Sequence, residues 1–288
     1  MEAAQAYAAR IDAVLAQRTR LRGAPPPGDL FGGLRADHPL LATDPRRPRD
    51  ANLQALASLI ERDDVIVDIG GGSGRLSLPF ASDCREIVNV EPSAAMGRGF
   101  LANAARAGIG NIRLIESDWL EAAPPSGTLA LAAHVTYFIR DIVASIDKMQ
   151  RAGPRRAIIL VNEPPPPSWN RVLFELVHGE VEAIVPGRTE LVAVLREMGI
   201  APELRVLSTN PAALIAPAAT RTEAIDAAVN RFNGDQWTFW PLGPALDARI
   251  RGILDTRFDE LFVKKPDGFV PGWIEPGNEI LITWQPAR

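Results

Sequence analysis

The residues best suited to chemistry cluster in Val65-Ile66-Val67-Asp68-Ile69-Gly70-Gly71-Gly72-Ser73-Gly74-Arg75. An apolar run ends in an acid and then in a glycine-dense turn. That order builds a nucleotide-like site at the carboxyl edge of a parallel sheet, whose central strands are dry on both faces. Glycines at 70, 71, 72 and 74 permit a sharp turn and close backbone approach to a ligand. Ser73 and Gly74 are expected to open a helix whose free amides favour polar or anionic groups. A second apolar run, Ile87-Val88-Asn89-Val90, ends in Glu91, 23 residues beyond Asp68 and near the spacing at which a carboxylate receives a ribose. Its two acceptor oxygens can take both ribose hydroxyls.

The glycine spacing selects among nucleotide binders. A dinucleotide fingerprint needs a third small residue where Arg75 stands. Acid-x-Gly-x-Gly-x-Gly over 68–74 instead resembles the first motif of class I S-adenosylmethionine-dependent methyltransferases. The resemblance gives Glu91 the ribose. Pro92-Ser93-Ala94-Ala95-Met96 is similar to the family's Asp-x-Ser-x-x-Met, with Glu replacing the leading Asp. Ser93 would then cap the next helix, and the Met96 thioether would pack on the adenine or simply fill core. After a third strand, Asn111–Glu116, comes Ser117-Asp118-Trp119-Leu120. Here the resemblance implies that Asp118 accepts from the adenine amino group and the Trp119 amide donates to a ring nitrogen. The implied cofactor is S-adenosyl-L-methionine, held by Asp68, Gly70, Gly71, Gly72, Gly74, Glu91, Pro92, Met96, Asp118, Trp119 and His134.

Methyl transfer from a sulfonium is an in-line displacement, so a protein mainly supplies alignment and a dry pocket. The acceptor site is expected beyond the carboxyl ends of the fourth and fifth strands. His134-Val135-Thr136-Tyr137 follows the fourth. Family members acting on planar nitrogens carry Asn/Asp-Pro-Pro-aromatic there, and this chain lacks both prolines and the amide or acid. His134 is either a general base for a hydroxyl, amine or thiol, or a strand-end residue shaping the cofactor pocket. Tyr137 either stacks on substrate or seals the loop. After the fifth strand, Asn162-Glu163 precedes four prolines that enforce a stiff, extended segment. Glu163 could orient an acceptor or pair with an arginine. Trp169, Trp237, Trp240 and Trp273, with Phe232 and Phe239, suggest an apolar or ring-bearing small molecule, although core packing would use most of them.

These residues need a scaffold, and the pattern supplies one. The alternation of strands and helices predicts an α/β fold with a parallel sheet, and the family resemblance implies a Rossmann-like three-layer sandwich with a seven-stranded, mostly parallel sheet and an antiparallel last strand. By the same resemblance, an N-terminal helical extension acting as a lid (1–50) precedes a methyltransferase domain (51–288) divided into a cofactor half, 51–163, and a substrate half, 164–288, with a helical insertion at 210–277. Thr128–His134 and Arg156–Val161 read as the fourth and fifth strands, with a crossover helix at Asp141–Met149. Strands are expected near Leu204–Leu207 and at Glu279–Trp284, and helices at 168–183, 188–199, 221–233 and 243–262.

Composition narrows the classes. A chain of 288 residues with 47% apolar and 23% charged content reads as a soluble globule. One cysteine, Cys84, excludes an internal disulfide and fits a cytoplasmic setting; three histidines lack metal-ligand spacing, so no metal is expected. No signal peptide or membrane span is read. A net charge of −4 disfavours a large nucleic-acid footprint. The reading is therefore methyl transfer to a small-molecule oxygen, nitrogen or sulfur, with oligomeric state open. One alternative is an RNA methyltransferase using arginines 18, 20, 22, 46, 47 and 49 as a phosphate arm, although the first 50 residues hold eight arginines against six acids. The others are a non-catalytic S-adenosylmethionine-binding regulator and, disfavoured by Arg75, a nicotinamide dehydrogenase.

Overall fold

The apolar runs become the centre of a sheet because no polar face has to be kept wet. In β1 (Val65–Ile69) every residue is buried, and β2 (Glu86–Val90), β4 (Leu129–Ala133) and β5 (Arg156–Glu163) are nearly as dry. The structure is a computed structural model describing residues 2–24, 28–29, 31–34, 36–38, 40–123, 125–209, 216–234, 243–274 and 277–287. With β3 (Ile112–Ile115), β6 (Glu203–Thr209) and β9 (Asn278–Trp284), these strands form a seven-stranded sheet ordered β3-β2-β1-β4-β5-β9-β6. The first five strands pair in parallel, and β9 enters antiparallel between β5 and β6. The Rossmann-like α/β fold, with its antiparallel last strand, is as the family resemblance implies. Strand order reverses between β1 and β4, and the crevice at that switch point is where open α/β sheets hold ligands.

Alternating side chains feed two cores. Val67, Ile69, Ala130, Ile159 and Ile282 face α1 (Glu2–Arg22), α4 (Ile142–Ala152) and α6 (Arg188–Glu197). Ile66, Ile87, Leu129, Ile158 and Leu281 face α2 (Ala51–Ala57) and α3 (Ala94–Arg106). The N-terminal fifty residues serve both sides. Tyr7, Ile11 and Val14 of α1 enter the first core, whereas residues 40–50 lie against α3 and the glycine turn on the second.

One expectation fails at the glycine turn: no α-helix follows it. Residues 75–77 are turns, and only a 3-10 helix, Leu78–Phe80, forms. Pro79 explains this. A helix opening at Gly74 would need the amide of residue 79 for the Arg75 carbonyl, and proline has none. Arg47 Nη2 takes that carbonyl instead at 2.7 Å, and Arg49 Nη2 donates to the Pro79 carbonyl at 2.5 Å.

The C-terminal half also departs from its pattern. The helix read over 168–183 is a 3-10 turn, Pro166–Asn170, followed by α5 (Arg171–His178), which Gly179 ends in the left-handed conformation at φ 73°. The helix read over 243–262 splits into α8 (Pro244–Thr256) and α9 (Phe258–Leu261) and then becomes β7 (Phe262–Lys265), which pairs with β8 (Gly268–Pro271). With α7 (Arg221–Gly234), these elements close a third core around Phe174, Val229, Phe232, Leu254 and Phe258. Among the described residues no helix is long and apolar enough to cross a membrane, and no cluster of His, Cys, Asp or Glu could hold a metal.

Candidate functional site

The turn after β1 and the end of β2 are tied into one cradle. Glu91 accepts from the Gly72 amide at 2.9 Å through Oε2 and from the Ser93 amide at 2.8 Å through Oε1. Asn89 Nδ2 donates to the Gly72 carbonyl at 2.9 Å. The Glu91 carboxyl is therefore buried and aimed before any ligand arrives, and burial pushes it above the ordinary carboxylate range. Gly71 must be glycine, since a Cβ there would lie 2.2 Å from Asp68 Oδ2 and 2.7 Å from Asn89 Oδ1. Those two oxygens are buried and lack hydrogen-bond partners. Burial pushes the Asp68 carboxyl up to about 7; the nearby Ser77 hydroxyl opposes this without good hydrogen-bond geometry, and the charge of Glu91 adds to it.

Ser93 caps α3 by accepting from the Met96 amide at 3.1 Å, and buried Met96 places its sulfur beside Gly72, 3.9 Å from where a Cβ would stand. Pro92 is exposed at the rim. Asp29 reaches the same helix end from the N-terminal segment, accepting from Ser93 Oγ at 2.8 Å and the Ala95 amide at 2.9 Å. Asn103 of α3 carries no motif that would mark it in the sequence. Its Nδ2 donates to the carbonyls of Leu41 (2.8 Å) and Ser73 (3.0 Å), joining the N-terminal segment to the glycine turn.

Asp118 is exposed beyond β3 and accepts from the Leu120 amide at 2.7 Å. The Trp119 indole is buried, its Nε1 donating to the Ser145 carbonyl at 3.3 Å. Only the main chain of Trp119 is thus available to a ligand in the cleft.

Beyond β4, His134 adopts φ 59°, a left-handed backbone uncommon outside glycine. Its ring is buried, with Nε2 2.8 Å from Glu279 Oε1 and Nδ1 3.3 Å from Asn162 Nδ2. Since the amide can only donate, Nδ1 accepts and the proton sits on Nε2, donating to Glu279. Burial holds His134 below its ordinary range despite that carboxylate. The buried Tyr137 hydroxyl accepts from the Asn162 amide at 2.5 Å, and burial drives its pKa upward. From α1, Tyr7 donates to the Thr136 carbonyl at 2.6 Å. Val135 closes over the turn, so a Cβ on Gly70 would lie 2.7 Å from its Cγ2.

Glu279, also unforeseen, is the hub of this side, receiving Asn52 Nδ2 at 2.7 Å as well as His134. An acid opening an otherwise apolar last strand was its only signal. Glu163 pairs with Arg188 at 2.8 Å. Trp169 donates to the Pro164 carbonyl and Trp273 to Asn170 Oδ1; Phe232 lies in the third core, and Trp237, Phe239 and Trp240 fall outside the described residues.

No family model matches the chain. Over 66 residues, 23% of this chain, it is 42% identical to the 23S rRNA (uracil(1939)-C(5))-methyltransferase RlmD of Aeromonas salmonicida, and it spans 15% of that relative's length. A candidate methyltransferase of Bacillus halodurans aligns with a TM-score of 0.55 at 10% identity, covering 82% of this chain and 98% of that one. The YcgJ protein of Bacillus subtilis aligns at 0.50 with 14% identity, covering 80% and 95%. At such identities the likeness is one of fold, and the fold is the Rossmann-like α/β sheet.

Proposed function

We propose that this protein binds S-adenosylmethionine and transfers its methyl group to a small-molecule acceptor. The observation that carries the reading is Glu91, pre-aimed by the Gly72 and Ser93 amides opposite a turn that no Cβ could occupy at Gly71. Two partnerless buried oxygens, Asp68 Oδ2 and Asn89 Oδ1, border the same turn, as a site awaiting donors would. When bound, S-adenosylmethionine supplies an already activated methyl group. Glu91 would take the ribose hydroxyls, Met96 and exposed Pro92 would flank the base, and Asp118 with the Trp119 amide would read its edge. Gly70, Gly72 and Gly74, all at positive φ, shape the turn for the methionine part. Val135 and Tyr137 exclude water from the transfer line.

With both ring nitrogens of His134 engaged, its role in this reading is to hold the cleft wall through Glu279 and Asn162, so alignment rather than proton abstraction drives transfer. Turnover abolished in His134→Ala with donor affinity intact would instead make it the base.

The RNA alternative draws support from the short match to the rRNA enzyme. Its arginine arm is spent internally: Arg18 on Glu182, Arg20 on Glu180, Arg22 over Phe232, Arg46 on the Ala107 carbonyl, Arg47 on the Arg75 carbonyl, Arg49 on Asp83. That, with the net charge of −4, favours a small acceptor. A cytoplasmic setting accompanies this reading, supported by a single buried thiol, Cys84. The test offers methyl-labelled donor to small-metabolite extracts and to total RNA. Label in the small-molecule fraction is expected; label confined to RNA would overturn the acceptor class, and absence of donor binding by calorimetry would overturn the whole reading.

A further inference from the structure

Among the described residues, the link from β3 to β4 contains no helix, so its turn carbonyls need partners that regular structure would have supplied. They find one in Lys148 of α4, a buried lysine. Its ammonium donates to the carbonyls of Trp119, Ala122 (2.5 Å) and Leu120 (3.2 Å), and lies 4.8 Å from the centre of the Trp119 indole. An ammonium carries three donors, and three carbonyls take them. One helical turn earlier, the Ser145 carbonyl receives Trp119 Nε1. The turn's other bonds are local: Ala122 N to the Asp118 carbonyl (2.9 Å) and Leu120 N to Asp118 Oδ1 (2.7 Å). Its hydrogen bonds to the rest of the fold therefore come from α4, while Trp119 and Ala122 pack into the core beside the sheet.

We propose that Lys148 is a specificity-determining positioning residue, fixing the 118–122 turn so that the Asp118 carboxylate and the Trp119 amide select adenine over other bases. This rests on the donor reading above and adds a residue that touches no ligand. Asp118 gains because its main chain is anchored in the turn, its carbonyl accepting from the Ala122 amide. Burial holds the Lys148 ammonium below the ordinary lysine range, and Asp118 draws it back.

The adenine amino group donates to a carboxylate; hypoxanthine carries a carbonyl there and meets the carboxylate with repulsion. A site that hydrogen-bonds a ligand group rejects analogues lacking it far more strongly than an apolar pocket does. A well-aimed turn therefore discriminates between the bases, and a turn freed to rotate does not. A lysine that only stabilises the fold would, on removal, weaken binding of both ligands alike.

The experiment is calorimetric titration of wild type, Lys148→Met and Lys148→Arg with S-adenosylhomocysteine and with S-inosylhomocysteine. Wild type is expected to prefer the adenine ligand by at least roughly tenfold. In Lys148→Met the adenine ligand weakens by about that factor while the inosine ligand holds, so the ratio collapses toward unity. Lys148→Arg keeps the charge but spreads its donors over a longer, planar fork that does not match three carbonyls converging on one nitrogen, and its ratio falls as well. Should the Met variant fail to fold, the Arg variant tests the same ratio by itself. An unchanged ratio in a folded variant, or equal losses for both ligands, overturns the proposal. Wild type that binds neither ligand overturns the donor reading instead.

Discussion

Glu91 and Asp68 show two uses of a buried carboxyl. Glu91 has an amide on each oxygen and a lone pair to spare on each, so a diol can be accepted without rearrangement. Replacing it with alanine removes a charged acceptor worth about 1.5–3 kcal/mol, which predicts donor affinity lowered roughly ten- to a hundredfold in a protein that remains folded. Calorimetry reads this directly. Asp68 has an oxygen with no partner, and its carboxyl is pushed up to about 7. The folded state then favours the protonated form, so this group's contribution is full below the unfolded value of about 4 and is lost as pH rises through about 7. Asp68→Asn is expected to remove that slope, giving a Tm gain over wild type at about pH 8 and little at about pH 4. An identical pH profile in both proteins would mean that Asp68 is solvated or partnered. Both acids were legible because each closes an apolar run. Glu279 was not, because its partners, Asn52 and His134, lie 227 and 145 residues away along the chain. Such a contact exists only after folding.

At the scale of elements, an N-terminal strap does what a helix was expected to do. Pro79 denies the segment after the glycine turn a regular helix, and Arg47 and Arg49 satisfy the carbonyls thereby left open. Pro79 was visible in the sequence, but glycine-rich strand-turn-helix grammar outweighed it. The β7–β8 hairpin was missed for a related reason. Lys265-Pro266-Asp267-Gly268 carries a recognisable turn signal, yet strands of four residues are too short to display alternation. Strap and turn meet at Asn103, which is buried and whose amide serves Leu41 and Ser73 together. In Asn103→Leu two buried carbonyls lose their donor, at a cost of about 1–3 kcal/mol each. The expected result is a lowered Tm, with hydrogen exchange and proteolysis at 40–43 rising first. Donor affinity should fall with it, since Ser73 belongs to the turn. A lower Tm with unchanged protection of the strap would place the damage elsewhere.

The whole molecule decides what the first fifty residues are. The family resemblance suggests a lid, a cover that opens while the body stays folded. Two facts argue for something more integral. Tyr7, Ile11 and Val14 are all but fully buried in the core shared with α4 and α6, and Tyr7 also binds the Thr136 carbonyl. The strap covers the opposite face, where the missing helix would have stood. Burying each large apolar side chain contributes about 1.5–3 kcal/mol. Three such side chains approach the whole stability of a typical domain, about 5–15 kcal/mol. A true lid would cost the body little when removed. A protein lacking residues 1–50 is therefore expected to lose its cooperative thermal transition or to aggregate, because both sheet faces would present apolar surface at once. The measurement is calorimetry of the 51–288 chain beside full-length protein. A sharp transition at a Tm near the full-length value, with only turnover or ligand kinetics altered, would restore the lid. Its absence would make the N-terminal segment a structural partner of the sheet, as Asp29 already is of α3, whose N-terminus its carboxylate holds.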